Sequence, residues 1–169
     1  MERKGFDKII EAMPKALEQE EDLVYAMGGS GPAERYLKSK IRNLPANVQK
    51  HIVILGKISD IEYWAWLELC DFFIMPSREM DGDVEGFGIV YLEANLAGKP
   101  VIAGDSGGAR DAVIDGLNGL LVNPNSADEI SAAIVRLAKD KNLREKLGRQ
   151  GNKRAKKNFR WKNQVSKIR

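Results

Sequence analysis

The sequence predicts a doubly wound α/β fold: a Rossmann-like parallel sheet with helices on both faces. Two observations lead there. The runs LVYAM (23–27), HIVIL (51–55), FFIMP (72–76), VIA (101–103) and GLLV (119–122) are short and continuously apolar, as strands covered on both faces must be. Between them lie longer segments whose apolar residues recur at helical spacing. No repeat or low-complexity linker interrupts the alternation, so 1–169 reads as a single domain, with a basic helical tail from about 142 to 169.

Each element has its own signal. FDKIIEAMPKALEQE (6–20) has helical periodicity, and Pro14 predicts a kink or an early end. Strand LVYAM runs into the glycine-rich turn GGSGP, and a helix follows from about Ala33 to Asn43. After HIVIL, IEYWAWLELC (61–70) reads as a helix, then strand FFIMP and the acidic loop SREMDGDVEG. IVYLEANLAG is a helix stopped by Gly98 and Pro100. Strand VIA, a short helix in GGARDAVI and strand GLLV come next. SADEISAAIVRLAKD opens with a serine cap and Glu129 three residues on, and NLREKLGRQGNKRAKKN is the last, basic helix.

Composition narrows the function classes. With 43% hydrophobic and 30% charged residues over 169 positions, the chain can bury a real core. No apolar run reaches membrane-spanning length, and no signal-like segment follows the N-terminus. One cysteine, Cys70, rules out an internal disulfide and fits a reducing, cytoplasmic setting. The net charge of +3 hides an asymmetry, since nine Lys/Arg and no acid lie between Arg149 and Arg169. A solvated basic helix is the plain reading of that tail. Attraction to an anionic membrane surface, making the protein peripheral, is the second; nucleic acid is not expected.

The stretch EGFGIVYLE (85–93) carries the functional signal. Glu93 has Ile89, Val90, Leu96 and Ala97 as helical neighbours, so its carboxylate is expected on a buried face, where it needs a partner. In doubly wound sheets ligands bind beyond the carboxyl ends of the strands. Gly86 and Gly88 let backbone approach a ligand, and the helix start offers N–H groups to a phosphate. A ribose diol would occupy Glu93, and Glu85 would reach a sugar beyond the phosphates. One nucleotide sugar accounts for both glutamates.

EGFGIVYLE also resembles the E-x7-E motif of retaining glycosyltransferases of family 4, which have the two-domain GT-B fold. ERKGFDKIIEA (2–12), GGSGP, HIVILGKI (51–58), CDFFIMPS (70–77), GKPVIAGDSGGARDAV (98–113) and DGLNGLLVNP (115–124) are similar to that family's donor-binding domain, in its order. The acidic loop most resembles the phosphatidylinositol mannosyltransferase branch. The resemblance implies a GDP- or UDP-sugar donor, no cofactor, no metal, and an acceptor lipid or saccharide. Lys4 would neutralise the diphosphate, and Ile58 would contact the base through its backbone. Phe87, Gly88, Ile89 and Val90 would offer amides, Gly86 would allow close approach, Glu93 would bind the ribose, and Glu85 would hold sugar hydroxyls and act in catalysis. Arg110 and Asp111 depart from the family's Pro-Glu. The resemblance also implies that the first, central strand and the N-terminal acceptor domain are missing from this chain. The slot so left would be closed by direct pairing of its two neighbouring strands, or filled by another segment or another chain. The last helix of the family packs on that missing domain, so FRWKNQVSKI and Trp161 would lose a partner.

Other motifs are weaker. GDSGG (104–108), with His51 ahead of it, spells a trypsin-like nucleophile segment, but Ser106 lies between a buried strand and a helix, and His51 reads as structural. D-G-D (81–83) reads as a solvated turn, with a bound cation as the alternative. GGSGPAE lacks a third glycine for a dinucleotide fingerprint. Tyr63, Trp64 and Trp66 read as packing residues. The functional alternative is a non-catalytic nucleotide- or phosphate-binding module, which would have no need of two glutamates.

Overall fold

The computed structural model describes residues 2–159. After a 3-10 turn (Glu2–Lys4) come α1 (Phe6–Leu17), β1 (Tyr25–Gly28), α2 (Glu34–Arg42), α3 (Ala46–Gln49), β2 (Ile52–Gly56), α4 (Asp60–Leu69) and β3 (Phe73–Met75). The second half comprises α5 (Ile89–Leu96), β4 (Val101–Gly104), α6 (Ala109–Ala112), β5 (Gly119–Val122), α7 (Ala127–Lys139) and α8 (Lys141–Asn158). All strand pairs are parallel, and apolar clusters lie on both faces. One gathers α1, α7 and residues from β1, β2, β4 and β5. The other gathers α5, α6, Leu67 of α4 and residues of β3 and β4. The predicted α/β class with two covered faces is the observed one.

Local signals explain most boundaries. Ser59 and Glu62 form a reciprocal capping box at α4, and the Ser126 hydroxyl accepts from the Glu129 amide at 3.2 Å. Gly98, at φ +76°, ends α5 as expected. Pro14 does not stop α1, which runs on to Leu17, because Ile9, Ile10, Met13 and Ala16 are buried in the cluster that α7 shares. Tertiary packing outweighs the lost hydrogen bond there. α1 nevertheless ends three residues short of the predicted Glu20, and the short α3 is a helix that the sequence pattern does not predict.

The helix α8 packs on α5. Gly148 and Gly151 bring its backbone against the Gly98 carbonyl and the Asn95 side chain. Arg154 donates to the carbonyls of Ala112 at 2.7 Å and Asp111 at 2.8 Å, and its guanidinium lies 4.8 Å from the Phe159 ring centre. The expectation for Trp161, and for the rest of FRWKNQVSKI after Phe159, lies outside the described residues.

The sheet is split. β1 pairs with β2, and β3-β4-β5 form a second ladder, but β1 and β3 share no hydrogen bond. Between them is a cavity of about 510 Å³, lined by Tyr25 and Met27 of β1, Phe73 and Met75 of β3, Met13 of α1 and Trp66 of α4. The expected direct pairing of the two neighbouring strands does not occur, nor does any described segment enter the slot. The buried cluster shared by α1, α7 and both ladders spans the split, so the two ladders are joined through helix packing and not through a β1–β3 pairing. Above the slot, α4 buries only Leu67 and leaves Ile61 and Leu69 exposed. Trp64 and Trp66, expected to be packing residues, keep 40% and 39% of their surface exposed.

Candidate functional site

The acidic loop 77–88 leaves β3 and is held from three sides. Gly5 packs against Pro76, and the Arg78 amide donates to the Arg3 carbonyl at 2.9 Å. The Arg78 guanidinium pairs with Asp7 of α1 at 2.9 Å, both side chains being buried. From the other side comes GDSGG. A Cβ on Gly104 would strike the Ser77 carbonyl, and one on Gly108 the Gly86 carbonyl. The Gly108 amide donates to the Glu85 carbonyl at 2.8 Å. These glycines are a cradle for the acidic loop, which explains GDSGG without a nucleophile. The D-G-D segment is a tight turn, with Met80 and Asp83 exchanging backbone hydrogen bonds of 3.0 and 2.8 Å. His51 Nδ1 lies 2.8 Å from the Leu23 carbonyl oxygen, at the entry to the strands.

Beyond the loop, Gly88 caps α5 in the left-handed region, at φ +76°. The amides of Gly86, Phe87, Gly88, Ile89 and Val90 donate to no backbone or side-chain acceptor among the described residues. Unpaired amides in succession at a helix start form a natural anion site. Lys4 lines both the slot and a second cavity of about 250 Å³ beside GGSGP. Ile58 and Val90 line the slot as well, and Ile58 closes on Gly28 at the end of β1. The structure therefore gathers Lys4, Ile58 and Val90 around one space. Phe87 turns away, its ring centre 5.5 Å from that of Phe159.

Both glutamates have partners. The Arg3 guanidinium donates through Nη1 to Glu85 Oε2 at 2.7 Å and through Nε to Asp83 Oδ2 at 3.0 Å. Ser77 Oγ adds a 3.3 Å hydrogen bond to Glu85 Oε2, and Ser77 in turn lies 3.2 Å from the buried Tyr91 hydroxyl. Glu93 accepts from the Tyr63 hydroxyl of α4 at 2.7 Å. Burial, then the hydrogen bond to Glu93, pushes the Tyr63 phenol far above its ordinary value, so it remains a donor. The expected burial of the Glu93 face is only half right. Glu93 is half-buried, but Ile89 and Leu96 beside it are 67% and 42% exposed. Helical spacing places residues on one face, yet it does not say what covers that face.

Arg3 and Tyr63 are site residues to which the motif itself does not point. A signal for Arg3 existed in R-K-G, one position before Lys4. Tyr63 had none, because an aromatic on an apolar helix reads as packing. No group of three or more His, Cys, Asp or Glu side chains among the described residues could hold a metal ion.

The profile of the glycosyl transferases group 1 family matches residues 1–154. The chain belongs to that family. Over 161 residues the group 1 chain is 37% identical to a GDP-mannose-dependent monoacylated α-(1-6)-phosphatidylinositol monomannoside mannosyltransferase of Corynebacterium glutamicum, covering 94% of this chain and 41% of the relative. A GDP-mannose-dependent mannosyltransferase of Mycolicibacterium smegmatis is 36% identical, over 98% of this chain and 44% of its own. The chain thus spans less than half the length of the curated relatives it matches. Among solved structures, Anabaena HepE in complex with UDP and glucose superposes with a TM-score of 0.84 at 26% identity, over 99% of this chain and 45% of HepE. The C-terminal domain of the group 1 protein LpcC from Francisella tularensis gives a TM-score of 0.81 at 27% identity. This chain covers 82% of that domain, and 95% of its own length is matched.

Proposed function

We propose that this group 1 chain is the donor-binding half of a retaining glycosyltransferase, moving a hexose from a nucleoside-diphosphate sugar to a lipid or saccharide acceptor. The observation that carries the reading is the run of unpaired amides from Gly86 to Val90, bracketed by the carboxylates of Glu85 and Glu93. A diphosphate fits the amides, with Lys4 supplying a compensating charge. Glu93 takes the ribose diol, Ile58 the base, and Glu85 the sugar hydroxyls and the positive charge developing at the anomeric carbon. No cofactor or metal enters this scheme. The GDP-mannose-dependent relatives favour GDP-mannose as donor, and in this reading a further, N-terminal domain carries the acceptor.

Calorimetric titration with GDP, UDP and ADP and their sugar conjugates tests this. Binding of one nucleotide family over the others is expected; no binding to any would overturn the reading. Arg149, Lys153, Lys156 and Lys157 are exposed on α8, and no helix among the described residues is long and apolar enough to cross a membrane. We propose that this face attracts an anionic membrane surface. Cosedimentation with phosphatidylserine vesicles but not phosphatidylcholine vesicles is expected, and equal behaviour with both would sink it.

A further inference from the structure

The structure assigns Arg3 a positioning role: by holding one carboxylate oxygen of Glu85, it leaves the other facing the donor's sugar. This rests on the functional reading above, in which Glu85 meets that sugar. Arg3 Nη1 and Ser77 Oγ both converge on Oε2 of Glu85, and no hydrogen bond or ion pair engages Oε1 among the described residues. The Arg3 side chain is 14% exposed and that of Glu85 15%, whereas Asp83, the second arm of the fork, is 65% exposed.

The holder is itself held. The Arg3 carbonyl accepts from Arg78, whose guanidinium is anchored in α1 by Asp7. Ser77 is backed by Tyr91, whose hydroxyl lies 2.8 Å from the Met75 carbonyl oxygen. The backbone of Glu85 is tied to Gly108. A glutamate on a loop otherwise samples several rotamers, and a reacting group needs one. Arginine suits the task because its planar fork can address two carboxylates from one fixed plane. A lysine keeps the charge and loses the fork. The exposed Asp83 arm adds little to stability, so what the fork contributes at Glu85 is geometric.

The test compares Arg3→Ala, Arg3→Lys and Glu85→Gln, with the Arg3→Ala/Glu85→Gln double variant. Each 169-residue chain is titrated by NMR with GDP, GDP-mannose, UDP and UDP-glucose. Arg3→Ala should weaken the sugar nucleotide about ten-fold and leave the bare diphosphate within two-fold, the split a merely structural loss would not produce. Arg3→Lys should recover little, and the double variant should lose no more than Glu85→Gln alone. Additive losses, or equal losses for diphosphate and sugar nucleotide, would overturn the role. Side-chain couplings in ligand-free Arg3→Ala give an independent readout: Glu85 should average over rotamers. A single unchanged Glu85 rotamer would overturn the positioning role even if no sugar nucleotide bound the parent chain. Loss of all binding in the parent, with rotamer averaging in the variant, would fail the functional reading and leave the positioning intact.

Discussion

Glu93 is half-buried and accepts a hydrogen bond from Tyr63, thirty positions away in sequence. That single contact, with Oε1 of Glu93 unengaged among the described residues, leaves the carboxylate ready for a second donor. Hydrogen bonds to a charged group are worth roughly 1.5–3 kcal/mol, so Glu93→Gln should weaken nucleotide binding about ten-fold or more by calorimetry. Glu85→Gln should spare the bare diphosphate and weaken only the sugar conjugate; equal losses would remove Glu85 from the sugar. A second residue-scale expectation concerns Tyr91, whose phenol burial pushes up to about 12. A raised folded pKa favours the neutral form in the native state. Stability is therefore complete below the ordinary phenol value near 10 and declines as pH rises from there toward 12. Absorbance titration should show Tyr91 ionising late and together with unfolding. In Tyr91→Phe that alkaline loss should be shallower, and an unchanged profile would count against the burial argument.

At the scale of elements, the acidic loop is shaped by its neighbours more than by its own sequence. Gly107 and Gly108 accept the backbone of Glu85 and Gly86 where any Cβ would intrude. Gly108→Ala should push the loop outward, cost about 1–3 kcal/mol in denaturant unfolding, and weaken nucleotide binding along with it. An Ala variant with unchanged binding would show that the cradle does not set the loop. GDSGG is a lesson in context: the letters suggest a nucleophile, and the fold uses them for close backbone approach. Caps and strands were legible because their signals are local. Ser126 with Glu129, Gly98 with Pro100, and the run Gly119–Val122 all sit where the sequence places them. The persistence of α1 through Pro14 was not legible, since it depends on packing that the helix makes with distant residues.

Taken whole, the molecule is two parallel ladders bridged by helices, with an apolar slot between β1 and β3. Unpaired strand edges beside exposed Leu69 and Trp66 should bind a hydrophobic dye, and the chain spans only 41% and 44% of two mannosyltransferase relatives. We expect the purified 169-residue chain to bind nucleotide weakly and to transfer no sugar, as read by product formation from GDP-mannose with candidate acceptors; any turnover would refute this. What the sequence by itself determined is the order of the elements, the α/β class, and the glutamate-glycine-glutamate segment at a helix start. Periodicity, caps and motif spacing act within a few residues, so they can be read along the chain. Only the tertiary structure decided that Arg3 and Ser77 hold Glu85, that Tyr63 holds Glu93, and that β1 and β3 stand apart. Those outcomes turn on contacts between residues up to 82 positions apart, and local signals carry no information about which distant surfaces will meet.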